Sequence, residues 1–402
     1  MALIVQKFGG ATVETTAKLA KVASRIKEQK EKGDNLIIVL SAMGKTTDKL
    51  LELAHELSDE PPLREMDTLL NTGEMVSMAL LSIALNSKNC PAIGLCGHQA
   101  GIQTDQFFSN ASIAKINTEK IHDALNRDQV VVVAGFQGQT TNGDLTTLGR
   151  GGSDTTALAL AASLRADRCE ILKDVPAVFS ADPRIVKDAQ PLPSLRYDQL
   201  LDMTYWGAKV LQYRSVEIAE HFQIPLYVGP AHSNEYGTLI TEKHMIEDSE
   251  ILSLNSHETI LQISTQQTSL NDAIQWFKKE LDQRKTPFPQ LLHSELIGGS
   301  IVLFVTGPKE ITDSIHSISS GGIVRELSSV TATCRGSTRP ETMEKVITAL
   351  ETHGVKIVNL LVSAMSVTVF IEKTLRVSAV QLLHKLIPVP LMRPQLLADI
   401  KK

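Results

Sequence analysis

Gly149-Arg150-Gly151-Gly152-Ser153-Asp154-Thr155-Thr156 lies between a β-rich run at 130–138 and an Ala/Leu-rich helical run at 157–164. A glycine loop that opens a helix is a ready anion site, because its unpaired N–H groups point outward and the helix dipole favours negative charge. This loop also carries a fixed cation (Arg150), a carboxylate (Asp154) and hydroxyls. The set suits a phosphate, a metal ion and a charged substrate together.

Around this segment, residues 1–240 alternate short apolar strands with longer amphipathic helices. Strands are expected near 3–7, 36–41, 92–95, 130–135, 169–172 and 225–228, and helices over 15–32, 46–57 and 66–86. The alternation implies an α/β fold, a mainly parallel sheet with helices on both faces. Ligands on such sheets bind outside the carboxyl ends of the strands. Three glycine-bearing segments follow strands there: Gly9-Gly10, Ser41-Ala42-Met43-Gly44 and Gly135-Phe136-Gln137-Gly138.

Composition changes near 241–253, and two further units follow. The first has a strand at 259–264, a helix at 270–283 and strands at 291–296 and 300–306. The second has strands at 328–334, 356–362 and 366–371, with helices at 342–353 and 378–386. Both read as βαββαβ, a tandem repeat by pattern although residue identity between them is slight. The expected division is 1–243, 249–324 and 325–402.

Composition excludes several classes. A length of 402 residues accommodates two or three domains. A net charge of −5 with scattered Lys and Arg gives no support for nucleic-acid binding. Continuous apolar runs such as 36–40 and 130–134 are too short to cross a bilayer. The apolar Ala2-Leu3-Ile4-Val5 precedes Lys7, the reverse of a secretory signal, so a cytoplasmic location is expected. Cys90, Cys96, Cys169 and Cys334 show no CxxC and no His-rich spacing, which favours buried reduced thiols over zinc or disulfides.

Several constellations bear chemistry. Lys7-Phe8-Gly9-Gly10 is either a phosphate contact, with lysine as point charge and glycines allowing close approach, or a plain strand-to-helix turn. Gly44-Lys45-Thr46 resembles the end of a P-loop, but the required first glycine falls on Val39. Ser41 and Thr47 remain as hydroxyls within reach of a ligand. Glu74 follows Thr72-Gly73, where Thr72 reads as an N-cap and Glu74 as a first-turn acid that complements the dipole. Asp182-Pro183-Arg184, after Phe179, reads as a nucleotide contact or as a stabilised turn. Lys209 in Gly207-Ala208-Lys209-Val210-Leu211 is expected to enter a helix, where a cation works against the dipole.

Taken in order, these segments resemble aspartate kinases of the amino-acid kinase fold, in their monofunctional bacterial form. The carriers are Lys7 to Gly10, Ser41 to Asp48, Arg64-Glu65-Met66-Asp67 through Gly73-Glu74, Gln99 to Ile102, Gly135 to Gly138, Thr146 to Thr156, Asp182 to Arg184 and Gly207 to Leu211. The resemblance implies transfer of the ATP γ-phosphate to the β-carboxylate of L-aspartate, with Mg²⁺ as the partner of ATP. This is the first step toward lysine, threonine and methionine. It implies that Lys7, with Gly9 and Gly10, holds the transferring phosphoryl group and that Lys209 adds a phosphate contact. Glu74 would bind the substrate α-ammonium and Arg150 its α-carboxylate, while Asp154 orients the lysine. Ser41, Thr47 and Ser153 would be ligand-side hydroxyls, with Lys173, Asp174, Phe179 and Arg184 on the nucleotide side.

The C-terminal units resemble paired ACT domains, which implies a homodimer or higher homo-oligomer and feedback by lysine or threonine. Here the pattern departs from the family. Gln267-Thr268-Ser269-Leu270 and Ser337-Thr338-Arg339-Pro340-Glu341 replace the usual turns before the ACT helices, and Val362-Ser363-Ala364-Met365-Ser366 replaces a Ser-Glu-Ile strand motif. Weakened or absent feedback is therefore expected. In the catalytic part Ala11, His98, Lys173 and Ala177 replace a threonine, a tryptophan, a threonine and a glycine. Two alternatives follow from these departures: a catalytically weak regulatory paralogue, or a kinase for another amino-acid carboxylate.

Overall fold

Leu36, Ile37, Ile38, Val39 and Leu40 are all 0% exposed, which requires a strand covered on both faces. In the computed structural model they form the strand Asn35–Leu40 near the centre of an eight-stranded sheet. The structure describes residues 1–233, 237–242, 251–284, 286–316, 318, 322–334 and 337–388. The expected boundary residues 243 and 249 lie outside these.

In space the sheet runs Ser194–Leu195, Thr238–Ile240, Leu226–Pro230, Arg168–Lys173, Leu3–Phe8, Asn35–Leu40, Val130–Ala134, Ala92–Leu95. The six strands from Leu226–Pro230 onward are parallel, as the alternation predicts. Thr238–Ile240 pairs antiparallel with Leu226–Pro230. Side chains alternate between two cores with a period of two residues. Val5, Ile37, Val39, Val131 and Ile171 pack with Ala157, Leu158, Leu160 and Ala161 of the helix Gly152–Leu164. Ile4, Phe8, Leu36, Ile38 and Val132 pack on the other face with Leu19, Val22 and Ile26 of the helix Thr16–Lys30 and with Met78, Leu81 and Leu85 of the helix Leu63–Ser87. A small four-stranded sheet, Ile113–Ile116, Ile102–Thr104, Gln137–Gln139 and Leu145–Thr147, flanks the main one. All four cysteines are buried and free.

Three local readings are corrected. The helix expected over 157–164 begins at Gly152, so Ser153 and Asp154 belong to its first turn. The helix Leu63–Ser87 runs unbroken through Gly73, so Glu74 lies well inside it. The Thr72 hydroxyl, instead of capping, donates to the Leu69 carbonyl at 2.6 Å. Residues 207–212 form a loop between the helices Tyr197–Tyr205 and Tyr213–His221, so Lys209 opposes no dipole. By length and composition alone Leu63–Ser87 would span a membrane, but half of its apolar window is buried inside the protein. It packs one face on the sheet and on the helix Thr16–Lys30, while Val76 and Ile83 on its other face are exposed.

The C-terminal half forms one continuous seven-stranded sheet. Its axis is the strand Ile323–Thr333, within which the expected boundary between 324 and 325 falls. The first half of this strand pairs with Ile260–Ser264. Its second half pairs with Ser366–Glu372 on one edge and with Ser253–Asn255 on the other. Ser253–Asn255 thus lies within the expected first unit in sequence yet pairs with the strand segment Thr331–Thr333 of the second. The seven-stranded sheet meets the N-terminal part of the chain where Trp206, at the end of the helix Tyr197–Tyr205, packs with Phe304 and Phe370.

Candidate active site

The carboxyl ends of Leu3–Phe8, Asn35–Leu40 and Val130–Ala134 converge on the N-terminus of the helix Gly152–Leu164. Gly135 makes that approach close: a Cβ there would lie 2.8 Å from Ser153 Cβ and 2.9 Å from the Leu40 carbonyl oxygen. The residue before the helix, Gly151, is left-handed at φ 72°, a conformation that suits glycine. Within the first turn Gly152 N–H donates to the Gly149 carbonyl and Asp154 N–H to the Gly151 carbonyl, both at 2.9 Å, so what faces the end of the sheet is chiefly the positive end of the helix dipole.

Two lysines meet one carboxylate at this point. Lys7 Nζ lies 2.6 Å from Asp154 Oδ1 with both side chains buried, and Lys173 Nζ lies 3.9 Å from Oδ2. The Lys173 ammonium also donates to the Val210 carbonyl, across to the loop that bears Lys209. Burial favours the neutral acid at Asp154, but Lys7 and then Lys173 outweigh it and hold the carboxyl below its ordinary value. Burial pushes the Lys173 ammonium down, against the pull of Asp154. Lys7 and Lys173 share the Asp154 carboxylate, and Asp174 also acts on Lys173. Cations beside a helix N-terminus favour an anion here.

Glu74 approaches from the helix Leu63–Ser87. Its Oε1 accepts from the Ala42 N–H at 3.0 Å, while Oε2 is buried and has no partner among the described residues. Ser77, one turn on, donates to the Ser41 carbonyl at 2.9 Å and ties the same loop to the helix. Burial pushes the Glu74 carboxyl up to about 7. An acid whose folded pKa is raised binds its proton over a pH range where the unfolded chain has lost it, so folding stability declines as pH rises from 4.5 to about 7. Glu74→Gln is expected to flatten that decline, read as Tm against pH. An unchanged slope would mean that Glu74 is ionised throughout.

Asp67 and Asn71 share the helix face with Glu74, and all three are buried. Asp67 accepts from Ser109 N–H at 2.8 Å, from Thr147 N–H at 2.8 Å and from the Thr147 hydroxyl at 2.7 Å. It pins the strand that leads into Arg150. The sequence assigns Asp67 no role, although the polar residues at 67, 71 and 74 share one face at helical spacing. Arg150 itself is exposed and makes no ion pair or hydrogen bond among the described residues. Thr47 lies in the first turn of the helix Thr46–Leu57, half-buried and also without a hydrogen bond among the described residues.

Beside this centre opens a cavity of about 640 Å³. Lys173, Asp174, Phe179, Arg184 and Lys209 all line it, so the four residues expected on the nucleotide side are brought together with Lys209, the expected further phosphate contact. Arg184 is held by Asp182 through Nε–Oδ1 at 3.0 Å and Nη2–Oδ2 at 2.6 Å. Arg184 chiefly, and Lys209 in lesser part, hold the Asp182 carboxyl low. Lys173 bridges the two regions, touching Asp154 at one and lining the other.

Residues 2–230 match the model of the amino acid kinase family. The aspartokinase of Geobacillus stearothermophilus is 36% identical, over 96% of this chain and 97% of that protein. The aspartokinase of Bacillus sp. (strain MGA3) is 50% identical over 252 residues, which are 63% of this chain and 61% of that protein. In that match the chain spans about three fifths of its relative. Among solved structures, the aspartate kinase from Synechocystis is 34% identical with a TM-score of 0.56, over 98% of this chain and 70% of that one. The E. coli aspartokinase III in complex with aspartate and ADP shares the fold, with a TM-score of 0.79 at 22% identity over 95% of this chain and 99% of that one.

Proposed function

The chain belongs to the aspartokinases of the amino acid kinase family, and from that premise we propose that it transfers the γ-phosphate of ATP to the β-carboxylate of L-aspartate. The observation that carries this reading is the pairing of Lys7 and Lys173 on buried Asp154 at a helix N-terminus, with the unpartnered Glu74 oxygen on the helix Leu63–Ser87. An acyl-phosphate synthesis asks little of a general base, because the attacking carboxylate is already ionised at neutral pH. The work left to the protein is in-line positioning and neutralisation of the transferring group.

In this reading Lys7 and the Gly9-Gly10 turn hold the transferring phosphoryl group, and Asp154 keeps the Lys7 ammonium aimed. Glu74 takes the α-ammonium and Arg150 the α-carboxylate of aspartate. Ser41, Thr47 and Ser153 supply hydroxyls to the bound ligand. The nucleotide occupies the cavity of Lys173, Asp174, Phe179 and Arg184, with Lys209 on its phosphates. Among the described residues no group of three or more His, Cys, Asp or Glu side chains could hold a metal ion. In this reading Mg²⁺ arrives on the ATP phosphates, as is usual for this ion. Bound there, it neutralises phosphate charge. The division into a catalytic part at 1–243 and two effector-type units at 249–324 and 325–402 belongs to the same reading, as do a cytoplasmic location and a homo-oligomer formed through the C-terminal units.

The test is an ATP-consumption assay with aspartate, glutamate and N-acetylglutamate. Turnover with aspartate alone supports the proposal. Preference for another substrate would reassign the acceptor, and no turnover on any would point to a regulatory paralogue. The altered turns at 267–270 and 337–341 carry a further expectation: millimolar lysine or threonine leaves the activity within about twofold. Strong inhibition by either would overturn it.

A further inference from the structure

The 640 Å³ cavity is built from both halves of the chain. One wall comes from 173–185 and the loop 207–210. The other comes from Leu254, Asn255, Ser256 and Glu258, with Arg376 and Val380 of the helix Arg376–His384. The two walls are locked together by short contacts. Gly207 sits at φ +100°, and a Cβ there would lie 2.5 Å from the Ser256 carbonyl oxygen. Leu254 N–H donates to the Ser180 carbonyl at 2.7 Å, and His257 Nε2 lies 2.9 Å from the Tyr205 carbonyl. Gln381 Nε2 donates to the Ile185 carbonyl at 2.9 Å. Ala181, Val186 and Ala189, which flank Asp182 and Arg184, share one core with Ala379, Val380 and Leu383.

The cations of the cavity are unequally engaged. Lys173 is held by Asp154 and the Val210 carbonyl, and Arg184 by Asp182 on two oxygens. Arg376 differs. Its Nη1 donates to the Ser256 hydroxyl at 3.1 Å, and it pairs with no carboxylate among the described residues. A guanidinium has five donors in a planar fork that matches phosphate oxygens. Here most of those donors remain for a ligand, in a cavity that also holds Lys209.

We infer that Arg376 is a nucleotide-binding residue supplied by the C-terminal half, its guanidinium holding the anionic phosphate chain in the cavity that Asp174 and Phe179 also line. The inference rests on the reading of this cavity as the ATP site. It makes nucleotide affinity depend on how the C-terminal helix docks, through a direct contact.

The experiment uses the full chain and four variants: Arg376→Met, Arg376→Lys, Ser256→Ala and Lys209→Met. KM for ATP, KM for aspartate and the affinity for ADP by calorimetry are measured for each. Arg376→Met should raise the ATP KM and weaken ADP by about tenfold, the worth of a lost charge-assisted contact, with the aspartate KM unchanged. Arg376→Lys should recover part of the loss, and Ser256→Ala should behave as the parent. An unchanged ATP KM in Arg376→Met beside a raised one in Lys209→Met overturns the inference and leaves the cavity as the ATP site. If Ser256→Ala reproduces Arg376→Met, or both KM values rise together, Arg376 is a docking residue only. If neither Lys209→Met nor Arg376→Met weakens ADP, the ATP-site reading itself fails, and the inference with it.

Discussion

Lys7→Met is expected to lower kcat by about a thousandfold, the scale seen when one preorganised electrostatic contact to a transition state is removed. Lys7 lies on the central strand, and its ammonium is 2.6 Å from Asp154 Oδ1 in a buried setting. The substitution also strands a carboxylate. Breaking a buried pair destabilises by roughly 3–5 kcal/mol, and Lys173, 3.9 Å from the other oxygen, offsets part of that here. The double variant Lys7→Met/Asp154→Asn should therefore recover most of the stability lost by Lys7→Met and none of the activity. Turnover and Tm of the two single variants and the double variant check both halves. A kcat within tenfold of the parent in Lys7→Met would remove Lys7 from the reaction.

Arg150→Ala should raise the KM for aspartate by about fiftyfold, since a charge-assisted hydrogen bond to a carboxylate contributes roughly 2–3 kcal/mol. The ATP KM should change by less than about threefold. Arg150 is exposed and has no partner among the described residues, so the fold does not lean on it and Tm should hold. A larger rise in the ATP KM than in the aspartate KM would return Arg150 to the phosphates. Its neighbours predict a graded companion effect. Asp67 pins Thr147, three residues upstream, by two hydrogen bonds, so Asp67→Asn should disturb aspartate binding less than Arg150→Ala does.

The parallel sheet was readable in sequence because its strands are apolar at nearly every position and separated by helical runs, as at 36–40 and 130–134. The small flanking sheet was not. Gln137–Gln139 and Leu145–Thr147 are three residues long, too short for any period to register. At the site, Lys7 and Asp154 stand out by chemistry near a strand end and a helix start, and Glu74 as a buried acid within a long helix. The N-cap reading of Thr72 conflicts with the helix expected over 66–86, and the fold keeps the helix, with Thr72 and Glu74 inside it. Lys209 misled, its Ala-Lys-Val-Leu setting being helical by propensity while Gly207 at φ +100° holds a loop. Arg376 carries no local motif, and its relevance arises only from a contact between residues far apart in the chain.

The strand Ile323–Thr333 has a consequence for biosynthesis. On the ribosome, Ser253 is made long before Thr333, the residue it pairs with. During that interval Ser253–Asn255 has no sheet to join, whereas Ile260–Ser264 meets its own neighbour Ser300–Thr306 much earlier. The unit nearer the middle of the chain should therefore fold first as a nascent intermediate, and the outer one should close around it only after Ser366–Glu372 emerges. A chain stalled near residue 320 would present an open sheet edge and the unpaired Ser253–Asn255, a surface prone to self-association and a natural substrate for a holdase chaperone.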